Sequence, residues 1–151
     1  VKCFYLVGYH GCGKTTQANL LEKAFPQYNY IGGKSGLDAI GSVAELIGHV
    51  KASKRDMVIH GCIFQTEPMI QRLSRLTDLR VIVMHSKPNT VKERTLQRGA
   101  ANYNPQKFKS HYSFIKKLPE MKTRYQFRLH IVDNNQSTDK VHEAIKQYVV
   151  F

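Results

Sequence analysis

The chain has 151 residues, with 23 Lys and Arg against 11 Asp and Glu, a formal charge of +12 and 42% hydrophobic residues. That length predicts one domain over residues 1–151 with a sizeable core, and no apolar stretch of about 18 residues is present to cross a membrane as a helix. Three cysteines, Cys3, Cys12 and Cys62, are too few and too scattered for a disulfide framework or a zinc site, so a reducing, cytoplasmic setting is expected, that of the host if the source is viral.

The basic excess predicts a polyanionic partner, nucleic acid first. Solubility alone would be served by either sign of charge.

Val1 to Val7 reads as a buried strand rather than a secretory leader. Gly8-Tyr9-His10-Gly11-Cys12-Gly13-Lys14-Thr15 follows, the spacing G-x-x-x-x-G-K-[ST] of a P-loop. Glycines at 8, 11 and 13 are expected to allow positive φ, so that successive N–H groups converge on one anion. Lys14 is placed to reach the β- and γ-phosphates of ATP, and Thr15 to ligate Mg²⁺. The segment 15–24 reads as a helix whose N-terminus adds positive potential at Thr15 and Thr16. Gly8, Gly11, Cys12, Gly13, Lys14, Thr15 and Thr16 are therefore the expected nucleotide-binding loop.

Further along, Ala18, Leu21, Ala24 and Phe25 mark the buried side of that helix, which ends before Pro26. Residues 28–31 form a short second strand, opening into the glycine-rich stretch 32–38. Leu37, Ile40, Val43, Ala44, Ile47 and Val50 keep helical spacing. Residues 56–59 form a third strand, and a helix from about Thr66 turns Ile70, Leu73 and Leu76 inward. A fourth strand spans 80–84, and a helix through Arg98 is stopped by Gly99. The segment 105–118 is helical and expected to break at Pro119. A fifth strand spans 127–132, and Ser137 caps a last helix with Val141, Ala144, Ile145 and Tyr148 inward. Strand–helix alternation implies an α/β, three-layer fold around a five-stranded, mostly parallel sheet.

These motifs resemble the P-loop nucleoside and nucleotide kinases, the group of thymidylate, adenylate and deoxynucleoside kinases. Besides the P-loop, Val91 to Gly99 is similar to the helix that opens the lid in these enzymes, with a lid-like segment at about 98–118. The resemblance implies that Arg94 stacks on adenine and Arg98 reaches the ATP phosphates. On pattern alone, the same pair also reads as a solvated helix face. Val132 to Ser137 is similar to the strand-exit loop along the adenine edge, which brings in Asn134.

The chain departs from that family after the third strand, where His60-Gly61 stands in place of the usual acidic residue. Asp56 lies four strand residues back, about 13 Å away. Asp38, after the glycine-rich exit of the second strand, is the first choice of general base, and Glu67 the second. Asp38 reads equally as an acidic first-turn helix residue. His60 reads more simply as a neutral strand-end side chain than as a base.

From Arg94 to Val132, Glu120 is the lone carboxylate among many bases and interleaved aromatics. That composition suits a phosphodiester backbone with stacked bases, and Lys107, Lys109, Lys116, Lys117, Arg124 and Arg128 are the expected DNA contacts. Small size and basic charge look like the phage-type kinases that phosphorylate 5-hydroxymethyluracil within DNA. A free deoxynucleoside or deoxynucleoside monophosphate is the alternative acceptor. An ATP-driven DNA-binding NTPase is the alternative outside the kinases.

Overall fold

Alternation along β1 (Lys2–Val7) divides the molecule into two cores. Cys3, Tyr5 and Val7 point into one, Phe4 and Leu6 into the other, and all five are essentially inaccessible. A strand buried on both faces needs helices on both sides, which is the three-layer arrangement. The computed structural model describes residues 1–9, 12–32, 42–61, 65–97, 99 and 105–149, apart from the side chains of Pro88, Val91, Thr95 and Lys107.

The remaining elements, in chain order, are α1 (Lys14–Ala24), β2 (Asn29–Ile31), α2 (Val43–Ala52), β3 (Met57–His60), α3 (Glu67–Leu76), β4 (Asp78–His85), α4 (Pro88–Gln97), α5 (Pro105–Arg124), β5 (Arg128–Asp133) and α6 (Thr138–Val149). The strands form one five-stranded sheet in the order β2-β3-β1-β4-β5, with every pairing parallel. β1 has a neighbour on either side, and the chain crosses from one side of it to the other. Its C-terminal end is thus the switch point of the sheet, where open α/β folds bind ligands.

On one face, Ala18 and Leu21 of α1 and Val141, Ile145 and Val149 of α6 pack on Phe4, Leu6, Ile82 and Met84. On the other, Leu46, Ile47 and Val50 of α2, Met69, Ile70 and Leu73 of α3, and Phe114, Leu118 and Met121 of α5 cover the odd-numbered β1 residues. Each fully buried aliphatic side chain contributes about 1.5–3 kcal/mol relative to exposure.

Several expectations are corrected. α5 does not break at Pro119 but continues to Arg124. An interior proline costs about 3 kcal/mol, and buried Phe114 and Leu118 before it and Met121 after it hold the helix together. For the same reason, residues 105–118 of the lid-like segment form a helix packed on the body, while 98 and 100–104 lie outside the described residues. Leu76 is 41% exposed, because it closes α3 at the turn into β4, and Met69 takes the inward place. Val43 and Ala44 are exposed and Leu46 is buried, since Ser42 caps α2 and sets its phase by accepting from the Glu45 N–H at 3.2 Å. Ala24 is exposed too. Ser137 caps α6 as expected, its Oγ accepting from the Lys140 N–H at 3.4 Å.

Candidate nucleotide-binding site

α1 starts at Gly13, whose φ of 99° lies in the left-handed region, with no side chain capping the helix and no acidic residue in its first turn. The first N–H groups of a helix have no partner within it. An uncapped, acid-free N-terminus is therefore left with its donors and its dipole available to an anion.

Gly8 is a glycine for another reason than the positive φ expected of it. A Cβ there would lie 2.5 Å from Cys12 Sγ and 3.3 Å from the Met84 carbonyl oxygen. The residue lets the loop cross closely over β4, and Gly13 alone of these two supplies the left-handed turn. Gly11, with His10, lies outside the described residues.

Lys14 is 5% exposed and turned back into the loop. Its Nζ donates to the Gly8 and Tyr9 carbonyls, both at 2.8 Å, and lies 3.9 Å from Cys12 Sγ. Thr15 and Thr16 are both exposed, and Thr16 lines a cleft beside the loop. The far side of the loop is covered by α5, because the Tyr9 ring stacks on Phe108 with centroids 4.8 Å apart and planes 12° from parallel. Burial, with nearby Tyr112 adding to it, pushes the Tyr9 hydroxyl up to about 12.

Asn134 ties the loop to two strand ends. Its Nδ2 donates to the Cys12 carbonyl at 2.8 Å and to Ser86 Oγ at 2.9 Å, and its N–H bonds the His85 carbonyl. The side chain expected at an adenine edge is thus engaged in positioning the P-loop. The Asn134 carbonyl faces Arg94 of α4, whose two terminal nitrogens lie 3.5 Å from it. A cleft of about 340 Å³ opens between these groups. Cys12, Gly13, Thr16 and Gln17 line one wall, and Arg94, Asn134 and residues 136–138 the other. The structure therefore brings Arg94 and Asn134 together with the P-loop. Asp38 and Arg98 lie outside the described residues.

The second-choice carboxylate, Glu67, is committed elsewhere. Its Oε1 accepts from Arg124 at 2.8 Å and from the Tyr125 hydroxyl at 3.1 Å, which pins α3 to the end of α5. Asp56 Oδ1 accepts from the Lys2 N–H at 2.8 Å, at the strand beginnings. His60 ends β3 at 5% exposure. Gly32 presses against it so closely that a Cβ would collide with the His60 carbonyl and ring.

A larger cleft of about 580 Å³ lies at the opposite edge of the sheet, among Thr77, Asp78, Lys122, Arg124 and Arg128. No P-loop group lines it. Its bases sit at or just beyond the end of α5, where the helix dipole favours cations.

Sequence reasoning missed Gln65 and Ser86. Gln65 bonds Gly8 of the P-loop from 57 residues away, and Ser86 bonds Asn134, 48 residues along the chain, which in turn holds the loop. Neither belongs to a spacing that marks such a role.

Neither a protein-family model nor a curated protein matches the sequence. Solved structures do match. YorR protein from Bacillus subtilis, solved with phosphorylated GDP, superposes with a TM-score of 0.67 over 98% of this chain and 95% of its own, at 20% identity. The chain has the fold of the P-loop kinases. Deoxyadenosine kinase from M. mycoides, solved with dCMP and dCDP, gives a TM-score of 0.68 over 98% of both chains at 11% identity. Shikimate kinase from Acinetobacter baumannii, in complex with shikimate, gives 0.59 over 98% of this chain and 92% of its own, at 15% identity.

Proposed function

We propose that this protein is an ATP-dependent phosphotransferase whose acceptor is a free nucleoside or nucleotide. One observation carries the reading: the uncapped N-terminus of α1, with Lys14 beside it, opens directly into the cleft bounded by Arg94 and Asn134. The first part suits a polyphosphate and the second a flat base against a guanidinium. Phosphoryl transfer asks little covalent chemistry of a protein beyond positioning and cationic stabilisation. Lys14 and the α1 amides supply it at the β- and γ-phosphates, Arg98 is proposed to join them, and Asp38 is proposed to receive the acceptor proton.

The exposed Thr15 hydroxyl in the first turn of α1 fits a magnesium ion, which would take its other oxygens from phosphates and water. Bound there, the ion supplies neutralisation of charge on the transferred group.

A free acceptor is favoured because similarity extends over nearly the whole chain to proteins solved with nucleotides. A second reading, transfer to 5-hydroxymethyluracil within DNA, is supported by the outer face of α5. There Lys109, Tyr112, Lys116 and Lys117 are exposed, and Lys116 Nζ lies 5.8 Å from the Tyr112 ring centre. Basic side chains around an exposed aromatic suit a backbone with a stacked base.

The test is a panel of acceptors offered with γ-labelled ATP: thymidine, deoxyadenosine, dTMP, dGMP, plain DNA and DNA carrying 5-hydroxymethyluracil. Label on a small acceptor is the expected result. Label confined to modified DNA establishes the second reading, and release as inorganic phosphate alone overturns both.

A further inference from the structure

Gln65 is 4% exposed and sits between β3 and α3, yet both ends of its amide bond one P-loop residue. Its Oε1 accepts from the Gly8 N–H at 2.9 Å, and its Nε2 donates to the Gly8 carbonyl at 3.0 Å. That carbonyl has a second donor, Lys14 Nζ, at 2.8 Å. The other acceptor of Lys14, the Tyr9 carbonyl, also receives the Cys12 N–H at 3.1 Å. Each carbonyl that holds the ammonium inside the loop therefore has a partner that stays when the ammonium leaves. A buried carbonyl stripped of its only donor bears the full cost of desolvation, and here neither is stripped.

We infer that Gln65 is a positioning residue that releases Lys14 to phosphate, holding Gly8 in place and keeping its carbonyl bonded when the ammonium turns outward. It touches no reacting atom and acts through Gly8 and Lys14. The inference rests on the phosphotransferase reading, in which Lys14 contacts the transferred group. Only an amide serves here. A carboxylate would face the Gly8 carbonyl with no donor and would hold Lys14 where it is. A thioether would leave the Gly8 N–H without its partner.

The test uses Gln65→Glu, Gln65→Met and Lys14→Ala in the full chain. At pH 8, Gln65→Glu should lower kcat about 100-fold, as expected when a buried ion pair must be broken each turnover. The deficit relative to wild type should shrink as pH falls, because the protonated carboxyl again offers one donor and one acceptor to Gly8. Among the described residues, the charged groups tied to this position are Lys14, which shares the Gly8 carbonyl with Gln65, and, two residues on, Glu67, which pairs with Arg124 of α5.

Gln65→Met keeps the volume and decides the matter if the buried carboxylate prevents folding. It should weaken ATP binding and kcat about tenfold with no recovery at low pH. In the Lys14→Ala background, the same replacement should change ATP affinity by less than about twofold, since the group it releases is gone. Wild-type kinetics in Gln65→Met overturn the inference. So does a deficit that persists in full in the Lys14→Ala background, or a Gln65→Glu deficit that ignores pH. Full activity in Lys14→Ala would instead reject the phosphotransferase reading.

Discussion

The two sides of the sheet's C-terminal edge are built by different means. At the P-loop, the described groups are cross-tied: Gln65 holds Gly8, Asn134 holds Cys12, and Lys14 bridges Gly8 and Tyr9. On the β2–β3 side, β2 runs out into Gly32, which packs against the buried His60 at the end of β3. The family resembled by this chain carries a carboxylate at the end of that strand. A polyphosphate is recognised through backbone donors and one ammonium, which a short local spacing can specify. An acceptor is recognised by side chains gathered from separate loops, so its identity is spread through the chain.

The largest expected effect falls on the tied side. Lys14→Ala should reduce kcat/KM by at least about 100-fold, or about 3 kcal/mol of transition-state stabilisation. Both carbonyls it leaves have second donors, so its thermal unfolding should match wild type. A variant retaining a tenth of the activity would remove the P-loop from the chemistry.

On the other side, Asp38→Asn should slow the chemical step about 100-fold in single-turnover kinetics while leaving ATP affinity unchanged. Glu67→Gln is its counterpart. It breaks a partly exposed pair with Arg124 and should cost under about 1 kcal/mol of stability with kcat intact. The reverse pattern would exchange the two assignments.

Arg94→Ala should raise the KM for ATP about tenfold with a smaller change in kcat, as expected when a guanidinium no longer stacks on the base. Equal KM values would take the cleft out of nucleotide binding. Replacing Lys116 and Lys117 together with Ala should leave small-acceptor kinetics unchanged. If DNA is the acceptor, the same change should lessen the salt dependence of DNA binding by about 0.9 in log–log slope for each phosphate no longer neutralised.

The smallest effect concerns stability against pH, away from both sides. Burial, then the charges of Arg80, Arg128 and Lys122, hold His130 below its usual value, and it stacks on Tyr148 at 4.2 Å. The unfolded chain thus takes up the proton first. The contribution to stability is whole above about pH 6.5 and is lost as pH falls through the lower folded value. His130→Phe should flatten the fall in melting temperature between about pH 7 and 5. An unchanged fall would assign it to other groups, His142 among them, which burial shifts in the same direction.

The succession of strands and the P-loop were legible because each rests on short-range pattern: an apolar run in β1, glycine spacing, an apolar stripe on α6. Pro119 misled because local propensity disfavours it while Leu118 and Met121 reward a continuous helix through distant contacts. Leu76 followed the helical period but stands at its last position, beyond the cover of the sheet. Asn134 was placed at the correct edge, yet its side chain serves the loop, a choice decided by Cys12 and Ser86 far away in sequence. Gln65 gave no signal, since nothing in Phe64-Gln65-Thr66 marks a residue that clamps Gly8.

The most direct measurement follows the γ-phosphoryl group through a single turnover, with enzyme in excess over labelled ATP and a nucleoside or nucleotide acceptor present. The expected result is label on the acceptor in wild type, none on water, and neither in Lys14→Ala. Label released wholly as inorganic phosphate, or transfer undiminished in Lys14→Ala, would contradict the assignment of this site as a phosphotransferase centre.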